Sequence, residues 1–341
     1  MFVRSRVFAR DSEAMGATMQ PEVIGAAGAG RMGRGLAVVF ALAGHDVALV
    51  DLKSREDAEA YLAAAADEIR NTLGMLVACG MISADAVGRV ADRVQCVAHS
   101  DAADAMAKAD VIFEGVPEVL DAKREAFAFI SDAAMPDAII ASTTSTILSD
   151  ELQGMVSHPE RFLNAHWLNP AFLVPLVELS PGSETDPDVT ASLVSLLERI
   201  GKVPVVMKAS PGFIVPRIQA LAMNEAARIY EEGVASAEDI DKATKFGLGF
   251  RFAILGMLEF IDWGGGDILH HASRYMADAT GQDRFEAPEI IGRNMAEGRL
   301  GLRSGSGFLD YDGMDVPAYQ QERLTAFVGM LKHMGMLPEA K

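Results

Sequence analysis

Short apolar runs alternate with amphipathic stretches from residue 22 to about residue 210. The apolar runs predict strands at 23–27, 46–52, 93–98, 110–116, 138–142, 161–167, 175–180 and 202–208. The spacing of apolar positions between them predicts helices after residue 30 and at 55–88, 121–133 and 187–200. Such alternation of strand and helix is typical of an α/β fold with a doubly wound parallel sheet.

The pattern changes after KASPG at 208–212, which contains the chain-breaking residues Pro and Gly. Helical periodicity fills 213–232, 236–246, 250–280 and 287–298, with one short strand near Phe308. A last helix is predicted at 317–335, where an apolar stripe contains Leu324, Phe327, Val328, Leu331 and Met334. We therefore expect a tail at 1–20, an α/β domain at 21–209, an all-helical C-terminal domain at 210–315 and a helical extension at 316–341.

The composition is that of a folded globular protein with an acidic surface. Of 341 residues, 50% are hydrophobic and 23% charged, and the formal net charge is −18. This charge disfavours nucleic acid and anionic membranes as partners, and no uncharged apolar run approaches the ~18 residues of a membrane span. Cys79 and Cys96 form no metal or disulfide pattern, so a cytoplasmic location is expected. Residues 1–20 have no signal-peptide pattern, and Met15 or Met19 is an alternative start.

A glycine-rich segment follows the first predicted strand. Gly28, Gly30 and Gly33 form G-x-G-x-x-G between strand and helix, with Arg31 and Met32 inside the motif. Glycines permit a tight turn and a close approach of the backbone to a ligand, and the N-terminus of the helix attracts a pyrophosphate.

Asp51 ends the next predicted strand, 23 residues after Gly28. A carboxylate there accepts hydrogen bonds from both ribose hydroxyls and repels a 2′-phosphate. A glycine-rich turn beside a surface aspartate is the alternative interpretation, but strand, turn, helix and acid in this order predict an NAD site. Lys53 and Arg55 lie close enough to weaken the preference for NAD over NADP.

A second candidate cluster lies in HWLNP, where His166 follows an apolar strand, and in PLVEL, where Glu178 follows 12 residues later. A histidine whose second ring nitrogen is held by a carboxylate can remove a hydroxyl proton during hydride transfer. A structural histidine and a surface glutamate are the alternative. Asp267 and His271 lie four residues apart on a predicted helix, but no third ligand accompanies them, so no metal site is predicted.

Seven sequence features follow one another along the chain, and their order and spacing together are informative: GAGRMGRGLA, Asp51, VPEVLDAK, ASTTST, AHWLNP, PLVEL and SPGFIVPRI. In this arrangement the chain resembles the 3-hydroxyacyl-CoA dehydrogenase family over about residues 22–312. The resemblance implies a Rossmann-like NAD-binding domain, a helical C-terminal domain that forms a homodimer, and a cleft between the two. It also implies an enzyme of fatty acid metabolism acting on a small 3-hydroxyacyl substrate.

By position in these motifs, the resemblance implies roles for particular side chains. His166 matches the catalytic base of the family, and Glu178 matches the carboxylate that orients the base. Ser145 matches the hydroxyl that hydrogen-bonds the substrate oxygen. Asn169 matches the polar residue that lines the nicotinamide and substrate pocket.

Further positions match contacts to the cofactor, in addition to Ser145 and Asn169. Glu118 and Lys123, five residues apart in VPEVLDAK, match a pair at the cofactor, for which an ordinary ion pair at a helix start is the alternative. Arg303, just before the GSGF turn, lies where the family often has a lysine near the cofactor.

The chain departs from the CoA-using members of the family in several places. Pro216 replaces an asparagine that is common near the substrate, and Pro175 replaces a common lysine. The stretch 55–90 lacks the lysines expected to meet CoA phosphates, and between Arg55 and Arg89 at its ends Arg70 is alone. These features are closer to a CoA-free branch that includes L-gulonate and carnitine dehydrogenases.

We therefore expect an NAD-dependent enzyme that oxidises a 3-hydroxyl to a ketone, with a short-chain L-3-hydroxyacyl-CoA as the default substrate and a free 3-hydroxy acid as the alternative. The related 6-phosphogluconate-like dehydrogenases use a lysine base. The motif HWLNP has a histidine and no lysine, so it disfavours that assignment. A non-catalytic dinucleotide-binding structural or sensing protein is the third hypothesis. The presence of His166, Ser145 and Glu178 argues against it.

Overall fold

A computed structural model describes residues 22–338, so the predicted tail at 1–20 lies outside the described residues. The chain divides into two compact units, the first ending at Ala220 and the second beginning at Leu221. A helix at Val215–Glu231 runs through this division. The domain boundary expected at residue 210 stays a prediction.

The first unit contains one eight-stranded sheet in the order β3-β2-β1-β4-β5-β6-β7-β8. Its strands are β1 (Ile24–Ala27), β2 (Val47–Val50), β3 (Val94–Val97), β4 (Val111–Glu114), β5 (Ile139–Ser142), β6 (Phe162–Trp167), β7 (Leu176–Pro181) and β8 (Val203–Val206). Strand order reverses direction between β1 and β4, and ligands of open α/β sheets bind at the carboxyl ends of the strands beside such a reversal. The predicted Rossmann-like doubly wound sheet is confirmed.

One pair of strands departs from the parallel arrangement. β6 and β7 are antiparallel, whereas all other neighbouring strands of this sheet are parallel. The segment between them, 168–175, is too short for a crossover connection, which needs a dozen residues or more. The chain must therefore reverse direction, and this hairpin brings the two strand ends together.

Helices cover both faces of the sheet. They are α1 (Arg31–Leu42), α2 (Ala58–Ala78), α3 (Ala86–Ala91), α4 (Ala102–Met106), α5 (Leu120–Ala133), α6 (Ser149–Gln153) and α7 (Pro187–Arg199). The helix expected at 55–88 is two helices, because the chain turns at Gly80, whose φ of +72° favours glycine.

Aromatic side chains fill the core on each face of the sheet. Phe40, Phe113 and Trp167 pack together on one face, with ring centroids 5.2 to 5.9 Å apart. Phe127 meets Phe162 edge to face at 5.4 Å in the core of the other face. Burial of each such side chain contributes roughly 1.5–3 kcal/mol, so the sheet that positions the site is firmly held.

The second unit is helical. The elements after the sheet are α8 (Val215–Glu231), α9 (Ala237–Ala243), a π-helical segment (Thr244–Gly249), α10 (Phe250–Phe252), α11 (Met257–Gly264), α12 (Gly266–Thr280), α13 (Glu289–Ala296) and α14 (Val316–His333). The prediction of one helix at 250–280 is wrong, because Gly256 caps the start of α11 and Gly265, at φ +103°, separates α11 from α12. No helix between residues 22 and 338 has the length and apolar character needed to cross a membrane.

Asp262 organises the turn before the C-terminal helix. Its carboxylate is 3% exposed and accepts hydrogen bonds from the backbone N–H of Phe308 and Leu309 and from the Tyr311 hydroxyl. The short strand predicted near Phe308 is therefore wrong. The segment forms isolated bridges, Gly301 with Ser306 and Ser306 with Asp310, around a buried acid.

α14 is tied to α11 by polar contacts. Glu259 accepts hydrogen bonds from the Tyr319 hydroxyl and from Nε of Arg323, the latter at 2.8 Å. Burial, followed by the nearby Glu259, raises the pKa of Tyr319 to about 12. The predicted apolar stripe is only partly covered, since Phe327 packs on Phe250 at 5.3 Å while Leu324 remains 51% exposed.

Candidate active site

A tight turn joins β1 to α1 at the glycine motif. Gly28 has a φ of +119°, and a Cβ at Gly33 would overlap the carbonyl oxygen of Gly28. A Cβ at Gly30 would meet no atom within 4 Å, so that side of the turn is open. Arg31 begins α1 and is exposed, and Met32 is half-buried. A tight turn with one open side at a helix N-terminus fits a dinucleotide pyrophosphate.

Asp51 follows β2 and is 5% exposed. Its Oδ1 accepts from the backbone N–H of Lys53 at 3.2 Å, and its Oδ2 accepts from Nε of Arg55 at 2.5 Å. The bond to Asp51 is the main cause that raises the pKa of Arg55. The Arg55 guanidinium also stacks 3.9 Å above the Tyr61 ring, and Tyr61 donates to the carbonyl of Ala29 in the glycine turn. These contacts tie the Asp51 carboxylate to the glycine turn, and both would face a dinucleotide bound there.

Glu114 belongs to the surroundings of the candidate site and was not predicted from the sequence. It ends β4 with its carboxylate fully buried, where it binds Nζ of Lys123 at 3.0 and 3.1 Å and the Ser142 hydroxyl at 2.6 Å. It also accepts from the backbone N–H of Val116. The only signal in the sequence was one acid inside the apolar run DVIFEGV. A buried acid in such a run needs a cationic partner, which Lys123 supplies.

Glu118 connects this buried pair to Ser145. Nζ of Lys123 lies 3.5 Å from Glu118, and Glu118 accepts from the Thr144 hydroxyl at 3.0 Å and from the backbone N–H of Ser145 at 2.5 Å. The structure thus brings together the three predicted residues Glu118, Lys123 and Ser145. The Ser145 side chain is exposed, whereas Lys123 is buried.

His166 and Glu178 face each other across the β6–β7 hairpin. They are directly paired in its antiparallel register, which explains how a 12-residue separation becomes a contact. Nδ1 of His166 lies 2.8 Å from Oε2 of Glu178, with His166 4% and Glu178 0% exposed. An ionised carboxylate only accepts, so in the neutral imidazole Nδ1 donates to Glu178 and Nε2 carries the free lone pair.

The start of α8 completes the surroundings of this pair. The backbone N–H groups of Ile214 and Val215 both donate to Oε1 of Glu178 at 2.9 Å. The Phe213 ring stacks on the His166 imidazole, with centroids 4.7 Å apart and planes 23° apart. None of these contacts followed from the sequence reasoning, although SPGF marks a turn before a helix.

Asn169 lies in the hairpin loop and is exposed. Lys202 holds this loop, since its Nζ donates to the carbonyls of Ala171 at 2.5 Å and Val174 at 2.9 Å. Burial lowers the pKa of Lys202. The loop that contains Asn169 is therefore anchored beside the end of β6.

Arg303 belongs to the second unit, where its guanidinium lies 2.6 Å from Asp267. Its predicted contact with the cofactor stays a prediction. Asp267, considered above as a metal ligand, is thus paired with Arg303. Within residues 22–338, no group of three potential metal ligands occurs.

Comparison with known proteins identifies relatives of most of the chain. The family model for the NAD-binding domain of 3-hydroxyacyl-CoA dehydrogenase matches residues 23–210, and the model for the C-terminal domain of that family matches residues 212–311. α14 lies beyond both matches.

Two curated relatives differ in the substrates that their names state. The 5-formyl-3-hydroxy-2-methylpyridine 4-carboxylate 5-dehydrogenase of Mesorhizobium japonicum is 32% identical over 89% of this chain and 95% of its own length. The 3-hydroxybutyryl-CoA dehydrogenase of Bradyrhizobium diazoefficiens is 31% identical over 85% of this chain and 95% of its own length. A crystal structure of a 3-hydroxyacyl-CoA dehydrogenase from Archaeoglobus fulgidus covers 92% of this chain and 99% of its own, with a TM-score of 0.72 and 29% identity.

Proposed function

Because the chain belongs to the 3-hydroxyacyl-CoA dehydrogenase family, we propose that it oxidises the 3-hydroxyl of a short-chain L-3-hydroxyacyl-CoA to the 3-oxo product. It is an NAD-dependent oxidoreductase, and the substrate is the part that we propose. The observation that carries the proposal is the buried His166–Glu178 pair, whose 2.8 Å contact gives the imidazole one defined basic nitrogen.

His166 acts as the general base in this proposal. Nε2 takes the proton of the substrate hydroxyl, and the hydrogen on the carbon that bears this hydroxyl leaves with its electron pair. The NAD nicotinamide, when bound, supplies the acceptor for that hydride. Glu178 stabilises the imidazolium that forms, and its own charge is held by the N–H groups of Ile214 and Val215.

Ser145 and Asn169 hold the substrate in this proposal. The exposed hydroxyl of Ser145 donates to the substrate oxygen, and its backbone is fixed by Glu118. Asn169 presents its side-chain amide from the loop that Lys202 anchors. Both groups therefore extend from fixed backbone, which proton and hydride transfer require.

A CoA-free 3-hydroxy acid, of the kind used by L-gulonate and carnitine dehydrogenases, is the second candidate substrate. The arginines of the stretch 55–90 favour it, because each is paired with an aspartate: Arg55 with Asp51, Arg70 with Asp67 and Arg89 with Asp85. The stretch contains no lysine. The chain therefore offers few uncommitted cations there for CoA phosphates.

Absorbance at 340 nm tests the proposal. The protein is mixed with NAD and a panel containing 3-hydroxybutyryl-CoA, free 3-hydroxybutyrate, L-gulonate and carnitine. Turnover of the thioester with the highest kcat/KM supports the first candidate, and turnover of free acids supports the second. If none of these compounds gives NADH although the protein binds NAD tightly, the result would favour a non-catalytic binding protein.

We further propose a cytoplasmic homodimer formed through the helical unit. Leu221, Met223, Tyr230 and Tyr275 in that unit are 60 to 74% exposed, which is unusual for such large apolar side chains and typical of a subunit interface. Free Cys79 and Cys96 agree with a reducing compartment. Sedimentation and cell fractionation test the two parts separately.

A further inference from the structure

Phe213 has an unfavourable backbone conformation. Its φ is +47°, and it is the one residue other than glycine with a positive φ in the described range. The left-handed region costs an L-residue roughly 1–2 kcal/mol, and a bulky side chain adopts it rarely. The surrounding structure must therefore stabilise this conformation.

The contacts that hold Phe213 are those of the candidate active site. Its side chain is 5% exposed and stacks on His166 at 4.7 Å. The next two residues, Ile214 and Val215, donate their N–H groups to Glu178. One turn thus places a flat ring against the imidazole and two donors against the carboxylate that binds the imidazole.

A single hydrogen bond does not fix an imidazole completely. The bond from Nδ1 to Glu178 sets the direction of one ring edge, but the ring plane can still tilt about that bond. A ring stacked at 23° blocks this tilt, and it thereby fixes the direction in which Nε2 presents its lone pair.

We propose that Phe213 is a positioning residue for His166, and that its left-handed backbone persists because it places the stacked ring and the Glu178 donors together. The inference rests on the proposed role of His166 as base. Burial of a phenylalanine does not itself require this backbone, since Phe40 and Phe127 are buried in helices and Phe162 in a strand. Strained conformations of this kind cluster at functional sites.

Kinetics of paired variants test the proposal. Phe213→Leu keeps apolar bulk but removes the flat face, and it should lower kcat roughly 10- to 100-fold while KM for NAD stays within about threefold. Phe213→Tyr keeps the face and should retain most of kcat. Phe127→Leu is the matched control, because it makes the same change at a fully buried phenylalanine in the core away from His166, and it should lower the Tm without lowering kcat.

A structural role alone predicts that Phe213→Leu behaves like Phe127→Leu, with a lower Tm and unchanged kcat, and that result would overturn the proposal. A primary isotope effect with substrate deuterated at C3 adds a second criterion. It should increase in Phe213→Leu, because a misaligned base makes the chemical step slower than product release. An unchanged isotope effect together with unchanged kcat would also count against it.

Nuclear magnetic resonance separates this proposal from the proposed function. The seven histidines are labelled with ¹³C, and His166→Ala identifies the His166 signal. In the native protein and Phe213→Tyr this signal should be shifted upfield by the stacked ring and remain single, whereas in Phe213→Leu it should lose the shift and broaden. The measurement needs no substrate, so it decides the positioning role even if no 3-hydroxy compound turns over. An equally sharp and equally shifted signal in Phe213→Leu would refute it.

Discussion

The carboxylate of Asp51 already accepts one protein hydrogen bond at each oxygen. A carboxylate oxygen can accept a second bond, so ribose hydroxyls can still bind there. A 2′-phosphate would meet this negative charge and also the Arg55 guanidinium. We predict a preference for NAD over NADP of about tenfold or more, which Asp51→Ala narrows and Arg55→Leu widens. The ratio of the kcat/KM values for NAD and NADP measures this preference, and equal kcat/KM values in the native protein would disprove the assignment.

His166 and Glu178 differ in what their removal should cost. His166→Ala removes the base and should lower kcat roughly 10²- to 10⁴-fold, and Glu178→Gln should cost the same or less because it leaves the base in place. Neither change should alter NAD affinity by more than about threefold, which calorimetry can measure. His158→Ala provides the control, since His158 is an exposed histidine paired only with nearby Glu160 in the described structure. Turnover close to native in His166→Ala would remove the histidine from the mechanism.

Single residues were predictable where their role depends on neighbours in sequence. The glycines at 28, 30 and 33 need only one strand–turn–helix unit, so local pattern identifies them. Glu114 and Phe213 depend on partners 9 and 47 residues away, Lys123 and His166 respectively. Such contacts require the tertiary arrangement, which a single sequence does not contain in readable form.

At the scale of elements, α14 is held by few contacts. Arg323 and Tyr319 bind Glu259, while Leu324 and Val328 are about half exposed. We predict that deletion of 316–341 lowers the Tm and exposes the surface of α11. Arg323→Met should also lower the Tm, by the loss of one charged hydrogen bond worth about 1.5–3 kcal/mol in favourable geometry.

Lys332→Met is the matched control for Arg323→Met, since it removes a cation from the exposed last turn of the same helix. It should change the Tm little. Size-exclusion chromatography of the deletion variant shows whether the exposed stripe also contacts a second subunit. An unchanged Tm and an unchanged oligomer would mean that α14 is an independent appendage.

Hydrophobic periodicity predicted most of the helices and strands. It did not predict the direction of each strand or the positions where a helix is interrupted. The strand at 175–180 was predicted without its antiparallel direction, which depends on the short loop before it. The interrupted helix at 250–280 has continuous helical periodicity, and its breaks lie at Gly256 and Gly265. A glycine inside a helical pattern is often tolerated, so periodicity alone could not place the break.

At the scale of the whole molecule, the charge of −18 bears on the choice between thioester and free acid. CoA carries several phosphate charges, and an acidic protein must offset its own field with local cations to bind them. Arg34, which lies in α1 next to Gly33 of the glycine turn, is also paired, with Glu68 of α2 at 3.0 Å. Exposed pairs of this kind are weak, so they reduce the binding of phosphate without preventing it.

We therefore predict that any CoA compound binds weakly at its phosphates and mainly through its acyl and pantetheine end. A short 3-hydroxyacyl-CoA and the matching free 3-hydroxy acid should differ less in kcat/KM here than in an enzyme with a lysine-rich phosphate site. Salt screens the binding of phosphates, and we expect the phosphates to contribute little here. The KM of the thioester should therefore rise by about twofold or less between 50 and 200 mM salt. Competition with free CoA measures the phosphate contribution directly. Micromolar affinity for free CoA, combined with no turnover of free acids, would refute this prediction, and absence of any binding or reaction with CoA compounds would leave the free acid as the substrate.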